Sequence, residues 1–472
     1  MKKLVFIPLD STEDLIRTGI GMNHIENSYN PGGYFDEVYV ISSKDEVNDY
    51  NTLKFIKADV SDISDLIKEI KPIAVRANAG YDCSDIALAC RVKDIPIMIS
   101  VHDSRMENIS QSLIFADKVV CVSEEVKKVV SKYTSVDTRD LLMLPRFVDN
   151  SIFTRKFNTF FFTELNKKYG EGVHIIHVGR KSYEKNIETV IKSLVYLPKD
   201  YSLVQIGLGD STKYEVIARS LNVLDRCFFV GGIPREELAL YYSWADCMCT
   251  PSRREGFGLV FIEACACGCP VVTSNIGPMN EYLEDKKTAL LVDDYENPYN
   301  IAKCILEICS NKVLAGEIRR NSKKVACRFD ISNANSKEKE NYIQLLSGFD
   351  EKKEKLFVKE FDKLNQKFAI YGRGKRGLEF FQDMKKYDKE PVCFIDKDIS
   401  KIGSRIDGVK VIGIDDMVMV RNECIIVVSP LVHSDIVSYL REHGYNYIEL
   451  DWYKALLANS NYIDGRFVSK NF

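Results

Sequence analysis

Several features that would assign this sequence to a class at once are missing. No run approaches the ~18 apolar residues of a membrane span, and the apolar stretch at 4–9 is too short for a signal peptide. The net charge is only −3, so no overall field attracts nucleic acid or an anionic membrane. We therefore expect a cytoplasmic protein that binds no nucleic acid, with peripheral contact to the inner face of a membrane left open.

Metal and disulfide chemistry also lack their usual patterns. The 14 cysteines include no Cys-x-x-Cys pair, and nothing resembles a P-loop, a nucleophile elbow or a zinc-ligand set. Cys265, Cys267 and Cys269 are closely spaced, but they occupy small-residue positions of a predicted helix and its end, with no histidine near in sequence. We expect free thiols in a reducing compartment and no metal site.

What is present is a long chain in which short apolar strands alternate with helical segments. At about 150 residues per domain, 472 residues predict roughly three domains. In 1–156 the alternation predicts a parallel, doubly wound α/β sheet, whose ligands bind beyond the carboxyl ends of the strands. The chain places Gly19, Gly21, His102 and Asp103 there. Asp103 either orients His102 or caps the next turn, and the glycines either admit a ligand or form an ordinary loop.

A second α/β unit is predicted at 157–347. Residues 151–172 are polar and aromatic without a clear period, and we interpret them as the crossover into this unit. Strands and helices alternate from 173 onward, and a long helical region at 313–346 is expected to close the unit.

The most informative stretch of the second unit is 251–272. A polar turn leads into a small-residue helix and a β-branched strand, so that Glu255 and Glu263 stand eight positions apart. The backbone N–H groups that open this helix should be unpaired and favour an anion site. Arg180 and Lys185 follow the first strand of the unit at the same sheet edge, where a diphosphate cradle is favoured over a solvated charge cluster.

A third unit is predicted at 367–472, after a charged segment at 348–366 that is interpreted as a linker or an exposed helix. Its first strand runs into a Gly-x-Gly-x-x-Gly turn, and Asp396 ends its second strand. This is the layout of a dinucleotide-binding fold, with an acid placed for a ribose. A nucleotide site and a regulatory module without chemistry stay equally open; the glycines of the turn are Gly372, Gly374 and Gly377.

The second unit resembles the retaining nucleotide-sugar glycosyltransferases of family 4, which have the GT-B fold. The stretch 251–272 follows the family's Pro-Ser-x-x-Glu-Gly-Phe-Gly, Glu-Ala and Gly-x-Pro-Val pattern nearly position by position. The resemblance covers about 1–347 and implies two Rossmann-like doubly wound domains facing a cleft, with the acceptor side at 1–156 and the donor side at 157–347. The third, small Rossmann-like α/β domain resembles nucleotide- or sugar-binding domains found beside polysaccharide-biosynthesis enzymes.

The resemblance also implies residue roles. Arg180 and Lys185 would bind the donor diphosphate, Glu255 would contact the transferred sugar, Glu263 would hold the ribose hydroxyls and His102 would face the donor sugar. Further donor contacts are implied for Gly21, Gly256, Phe257, Gly258 and Leu259. There are two departures: the family's Asn-Gly-Val-Asp at the inter-domain segment is replaced by Arg146-Phe147-Val148-Asp149, and its glycine after the Glu281 helix is replaced by Ala289.

The function implied is that of a retaining hexosyltransferase. A UDP- or GDP-sugar would be the donor, no cofactor or metal would be required, and the acceptor would be a hydroxyl of a saccharide, lipid-linked or protein substrate in bacterial-type polysaccharide synthesis. The alternative is an NAD(P)-dependent sugar-nucleotide oxidoreductase or epimerase working through the third unit. A catalytically inactive sugar-nucleotide sensor is disfavoured because both glutamates and both cations are present.

Overall fold

A computed structural model of the chain describes residues 1–17, 20–79, 83–348, 351–430, 434–463 and 466–471. The first domain is built on a parallel sheet of seven strands in the order β3-β2-β1-β4-β5-β6-β7. The strands are β1 (Lys3–Ile7), β2 (Glu37–Ser42), β3 (Leu53–Lys57), β4 (Ala74–Ala79), β5 (Ile97–Val101), β6 (Lys118–Cys121) and β7 (Leu141–Met143). The helices among the described residues are α1 (Thr12–Arg17), α2 (Met22–Tyr29), α3 (Val60–Ile70), α4 (Cys83–Ala89) and α5 (Glu124–Tyr133).

The apolar pattern explains most of this domain. Every residue of β5 is buried, as expected for a β-branched run covered by helices on both faces. In α3, buried Ile63, Ile67 and Ile70 recur at helical spacing. The predicted strands therefore form, and β3 is an additional edge strand that pairs with β2.

The second sheet has six parallel strands in the order β10-β9-β8-β11-β12-β13. These are β8 (Val173–Val178), β9 (Tyr201–Ile206), β10 (Cys227–Val230), β11 (Cys247–Cys249), β12 (Val271–Ser274) and β13 (Leu290–Val292). The helices are α6 (Thr159–Tyr169), α7 (Ile187–Ser193), α8 (Thr212–Ser220), α9 (Arg235–Trp244), α10 (Leu259–Ala266), α11 (Met279–Tyr282), α12 (Pro298–Ser310), α13 (Lys312–Arg328) and α14 (Ile331–Ser347).

Two sequence interpretations of this region need correction. The supposedly aperiodic crossover contains α6, which begins after Asn158, whose side-chain oxygen accepts a hydrogen bond from the Phe161 N–H at 3.0 Å. The helical region expected at 313–346 forms as two helices, but the second, α14, packs on the first domain instead of closing the second. There Glu338 forms a buried ion pair with Arg76, and Tyr342 packs edge-on against Phe35 at 4.8 Å.

The third domain contains a mixed sheet in the order β16-β17-β15-β14-β18-β19, in which only the β16–β17 pair is antiparallel. Its strands are β14 (Phe368–Tyr371), β15 (Phe394–Ile395), β16 (Arg405–Ile406), β17 (Val409–Ile412), β18 (Ile425–Val428) and β19 (Tyr447–Glu449), followed by a hairpin of β20 (Ser460–Ile463) and β21 (Arg466–Ser469). Its helices are α15 (Glu351–Glu360), which precedes the sheet, α16 (Lys375–Lys385), α17 (Ser434–Glu442) and α18 (Leu450–Ala458).

The charged segment before this sheet is neither an extended linker nor an exposed helix. Phe357 of α15 is fully buried, with its ring 6.0 Å from Phe115 of the first domain and 6.3 Å from Trp452 of the third. The Lys353 ammonium lies 2.6 Å from the carboxylate of Asp140. The segment therefore fixes the third domain to the first. Within the described ranges, no helix has the length and hydropathy needed to cross a membrane.

Candidate functional site

The carboxyl ends of the first two sheets face each other across two adjoining cavities. One, of about 620 Å³, is lined mainly by the second domain, including Arg180 and Lys185. The other, of about 380 Å³, is lined mainly by the first domain and by the loop that opens α10. Both cavities share His102, Glu255 and Gly256. We call them the donor-side cavity and the first-domain cavity.

Lys185 and Glu255 form the central ion pair of the donor-side cavity. The Lys185 Nζ lies 2.6 Å from Oε1 of Glu255, and the Ser252 hydroxyl donates to the same oxygen at 2.7 Å. Both charged side chains are largely buried, so the carboxylate holds the ammonium in a fixed position. The Arg180 guanidinium is exposed at this cavity and makes no hydrogen bond or ion pair with any residue of the described ranges.

The loop at the start of α10 has the geometry of an anion site. Gly258 adopts φ +81° and caps the helix, a conformation that glycine takes without strain. Among the described residues, no hydrogen bond is donated by the backbone N–H of Phe257, Gly258 or Leu259. The carbonyl of Phe257 accepts from the Tyr282 hydroxyl at 2.7 Å, which holds the loop in place. These N–H groups are therefore free to receive an anion.

Gly256 lies at a close contact between the two domains. A Cβ at this position would lie 1.9 Å from the carbonyl oxygen of His102. The Ser123 hydroxyl donates to the Gly256 carbonyl at 2.7 Å. Nearby, the Glu281 carboxylate accepts hydrogen bonds from two backbone N–H groups that open α5, at 2.9 and 2.7 Å. The cleft is thus held closed by direct contacts between the two domains.

His102 lies at the junction of the cavities in its neutral form. Its Nε2 is 3.3 Å from Oδ1 of Asn78, at the end of β4. Burial and the nearby guanidiniums of Arg146 and Arg76 lower the pKa of His102 well below its usual range. Asp103 does not orient the ring; its carboxylate accepts from the Arg105 N–H at 2.9 Å, so it caps the turn.

Glu263 is buried behind the loop. Its Oε1 lies 3.1 Å from Nη2 of Arg235, and its Oε2 accepts from the Tyr242 hydroxyl at 3.3 Å. Burial outweighs both partners and raises the pKa of Glu263 to about 7. A ribose would have to share this carboxylate with Arg235, a residue that sequence reasoning missed although it is the first residue of α9 after the Gly-Gly-Ile-Pro turn.

The predicted glycine loop of the first domain is described only in part. Gly21 is exposed at the start of α2 and is not among the residues that line either of them. Gly19 lies outside the described residues. The donor contact assigned to this loop stays a prediction.

The glycine turn of the third domain has the expected backbone. Gly372 has φ +93°, Gly374 caps α16, and a Cβ on Gly377 would lie 2.2 Å from the carbonyl oxygen of Gly372. The Asp396 carboxylate, however, accepts hydrogen bonds from the N–H groups of Arg373 at 3.2 Å and Asp398 at 3.0 Å. A ribose would therefore have to share this carboxylate with the two backbone N–H groups.

The closely spaced cysteines pack in the core. Cys265, Cys267 and Cys269 are free and buried, and burial raises the pKa of the Cys265 thiol to about 12. Within the part of the chain that the structure describes, no group of three or more histidine, cysteine, aspartate or glutamate side chains is placed to hold a metal.

Comparison with known proteins gives two family matches along the chain. The family described as "Glycosyl transferases group 1" matches residues 160–325, and the family described as "C2185-like, N-terminal" matches residues 364–449.

Curated relatives match part of the chain. A D-inositol 3-phosphate glycosyltransferase of Xylanimonas cellulosilytica is 29% identical over 238 residues, which is 44% of this chain and 57% of that protein. An alpha-monoglucosyldiacylglycerol synthase of Streptococcus pneumoniae is 30% identical over 200 residues, which is 40% of this chain and 44% of that protein. The chain thus spans about half the length of these relatives.

Solved structures extend the likeness across the first two domains. The sucrose-phosphate synthase of Thermosynechococcus elongatus aligns with a TM-score of 0.62 at 18% identity, over 74% of this chain and all of that one. Anabaena Alr3699/HepE in complex with UDP aligns with a TM-score of 0.61 at 17% identity, over 73% of this chain and all of that one. At these identities the likeness is one of fold.

Proposed function

Because the chain has the GT-B fold and carries a glycosyl transferases group 1 domain at residues 160–325, we propose that it is a retaining glycosyltransferase. It moves a hexose from a UDP- or GDP-sugar to a hydroxyl acceptor. The observation that carries this proposal is the buried pair of Lys185 and Glu255, which faces a cavity beside the unpaired N–H groups of the α10 loop.

The proposed chemistry follows from charge. As the bond from the anomeric carbon to the donor phosphate breaks, negative charge grows on the diphosphate and the sugar becomes oxocarbenium-like. An ammonium has three N–H donors, so Lys185 can keep its contact with Glu255 while it binds a phosphate oxygen. Arg180 and the loop N–H groups would add to this stabilisation, and fixed donors of this kind act without reorganisation during the reaction.

Glu255 and His102 would then handle the sugar. The Glu255 carboxylate retains acceptor capacity beyond its bonds to Lys185 and Ser252, which suits sugar hydroxyls and a developing positive charge. Neutral His102 can hydrogen-bond a hydroxyl without adding a cation next to the oxocarbenium centre. For retention we propose a front-face displacement, in which the acceptor oxygen attacks the face that the phosphate leaves and the departing phosphate takes the acceptor proton.

The acceptor and setting are proposed from the relatives. The two curated relatives described above are named for an inositol phosphate and a glucosyldiacylglycerol, so a saccharide or lipid-linked acceptor in bacterial-type glycan synthesis is the favoured class. A peripheral position at the membrane would suit a lipid-linked acceptor. The comparisons do not favour an NAD(P)-dependent oxidoreductase. A nucleotide in the third domain is kept as a proposal, in which its ribose would share the Asp396 carboxylate with the N–H groups of Arg373 and Asp398.

The experiment is slow donor hydrolysis without acceptor, measured on a panel of UDP- and GDP-sugars. Lys185→Met should lower the rate by roughly 10²–10³-fold, because one preorganised donor to the leaving group is lost. Lys192→Met is the matched control, since Lys192 is exposed on the next helix, α7. Hydrolysis by Lys185→Met at the wild-type rate would contradict the site assignment. Retention is tested by NMR: the anomer of the sugar that is released first should have the same configuration as the donor.

A further inference from the structure

The first-domain cavity is lined by a guanidinium that has no hydrogen-bond or ion-pair partner among the described residues. Arg146, just after β7, lines this cavity together with His102, Glu255 and the α10 loop. We propose that Arg146 binds an anionic group, a phosphate or a carboxylate, carried by the acceptor. The inference rests on the proposed glycosyltransferase function and names a property of its acceptor.

The neighbouring arginines have ion-pair partners, whereas the Arg146 guanidinium has none in the part of the chain that the structure describes. Arg76 is paired with Glu338, and Arg235 with Glu263. Arg146 makes no hydrogen bond or ion pair with any residue in the described ranges, although the cavity also contains the carboxylates of Asp10 and Glu255. A guanidinium that faces a cavity has five N–H donors arranged to grip a phosphate or a carboxylate.

The charges around Arg146 only partly offset one another, because the Glu338 carboxylate that favours its charged form is already paired with Arg76. Its side chain is only partly exposed, and burial together with Arg76 and Arg235 lowers the pKa of its guanidinium. The same cation helps to lower the pKa values of His102 and His24. A partly desolvated charge without an ion-pair partner is energetically unfavourable. An anion that binds to Arg146 would therefore be stabilised by pairing with it.

The position of Arg146 separates it from the proposed donor site. The cations assigned to the donor diphosphate, Arg180 and Lys185, line the donor-side cavity. Arg146 lies in the other cavity, whose wall is made mostly by the first domain, with Tyr29 and Asn78 among its residues. His102 and Glu255 are shared by both cavities. An anion at Arg146 would therefore belong to the molecule that enters from the first-domain side.

The test uses the whole protein saturated with UDP or GDP, so that the donor diphosphate site is filled. Glucose 6-phosphate, glucuronate and glucose are then titrated by calorimetry as phosphate, carboxylate and neutral probes. We expect at least one anionic sugar to bind at least tenfold more tightly than glucose. Arg146→Gln should weaken that binding roughly tenfold to a hundredfold, and Arg146→Lys should retain part of it. The two anionic probes distinguish a phosphate from a carboxylate.

Controls make the outcome decisive. Arg219→Gln, an exposed arginine of α8, should leave all three titrations unchanged, and Arg146→Gln should remain folded because it removes a repelled charge. The proposal is overturned if the anionic sugars bind no better than glucose, if saturation with nucleotide abolishes their binding, or if Arg146→Gln weakens UDP as much as it weakens them. Failure of the glycosyltransferase function would look different, since neither nucleotide would bind and no donor would be hydrolysed.

Discussion

An alanine at position 256 should separate the two facing domains without unfolding either. Its Cβ would lie 1.9 Å from the carbonyl oxygen of His102 and 3.0 Å from the carbonyl carbon. Cβ atoms essentially never approach another heavy atom more closely than 3.0 Å, and both partners here are backbone atoms that no side-chain rotation can move. The two backbones must therefore separate by about 1 Å or more at the point where His102 and Glu255 meet.

This displacement should lower the rate of sugar transfer more than it lowers the affinity for the nucleotide. A misplacement of about 1 Å between reacting groups can lower a rate by roughly 10²-fold, so Gly256→Ala should lose about that factor in sugar transfer. Arg180 and Lys185 lie on another loop of the second domain, so nucleotide binding should fall much less than transfer, with the α10 loop accounting for any loss. Acceptor-dependent transfer is measured beside calorimetric titration with UDP or GDP.

Gly316→Ala is the matched control. In α13 the new Cβ would meet nothing nearer than the Arg320 Nη1 at 3.7 Å, and this change in a helix should stabilise the protein by about 0.5–1 kcal/mol. Its transfer rate should equal that of the wild type. If Gly256→Ala transfers sugar as fast as the wild type while folded, the closed contact between His102 and Gly256 plays no part in the reaction.

The local parts of the site could be predicted because one short stretch of chain builds them. Gly256, Gly258 and Glu255 belong to one turn, whose residue types specify a helix start with unpaired N–H groups. Lys185 follows a buried strand in a parallel sheet, and the carboxyl ends of such strands meet at one edge. For residues of one turn, or residues that directly follow neighbouring parallel strands, position in the sequence is enough to predict that they lie close together.

The remaining parts of the site depend on contacts between distant segments. Arg235 meets Glu263 across two helices, and Asn78 reaches His102 from a neighbouring strand. The importance of Arg146 depends on which neighbouring arginines are paired. The spacing of apolar residues carries no information on such pairings. The sequence could therefore suggest which cations lie near the site, but not which arginine lacks an ion-pair partner.

Contacts between distant segments also explain why the charged composition of 348–366 gave a wrong expectation of exposure. Its charged residues predict exposure, yet Glu354 is buried, lies 4.0 Å from Arg91 and accepts a hydrogen bond from the Asp94 N–H at 2.9 Å. Strand β3 was missed because Lys54 and Lys57 interrupt its apolar pattern at the sheet edge. In both cases tertiary partners override what the local composition favours.

Phe357→Ala should loosen the third domain, because the ring is fully buried between Phe115 and Trp452. We expect the free energy of unfolding to fall by about 3–5 kcal/mol, which calorimetry would record as an unfolding transition at lower temperature. Leu356→Ala, at a position that is 55% exposed, should unfold at the wild-type temperature. Equal transition temperatures in both variants would contradict the docking role of Phe357. Glu263 should make stability depend on pH. Burial raises its pKa from 4.5 to about 7, so between these values the folded protein holds a proton that the unfolded chain has released. The contribution of Glu263 is therefore fully present below about pH 4.5 and is lost as the pH rises through about 7, by at most about 3 kcal/mol. Glu263→Gln removes this titration, so in urea unfolding the wild type should lose stability relative to the variant between pH 4.5 and 7.5, and parallel curves would show that Arg235 keeps the carboxylate ionised throughout.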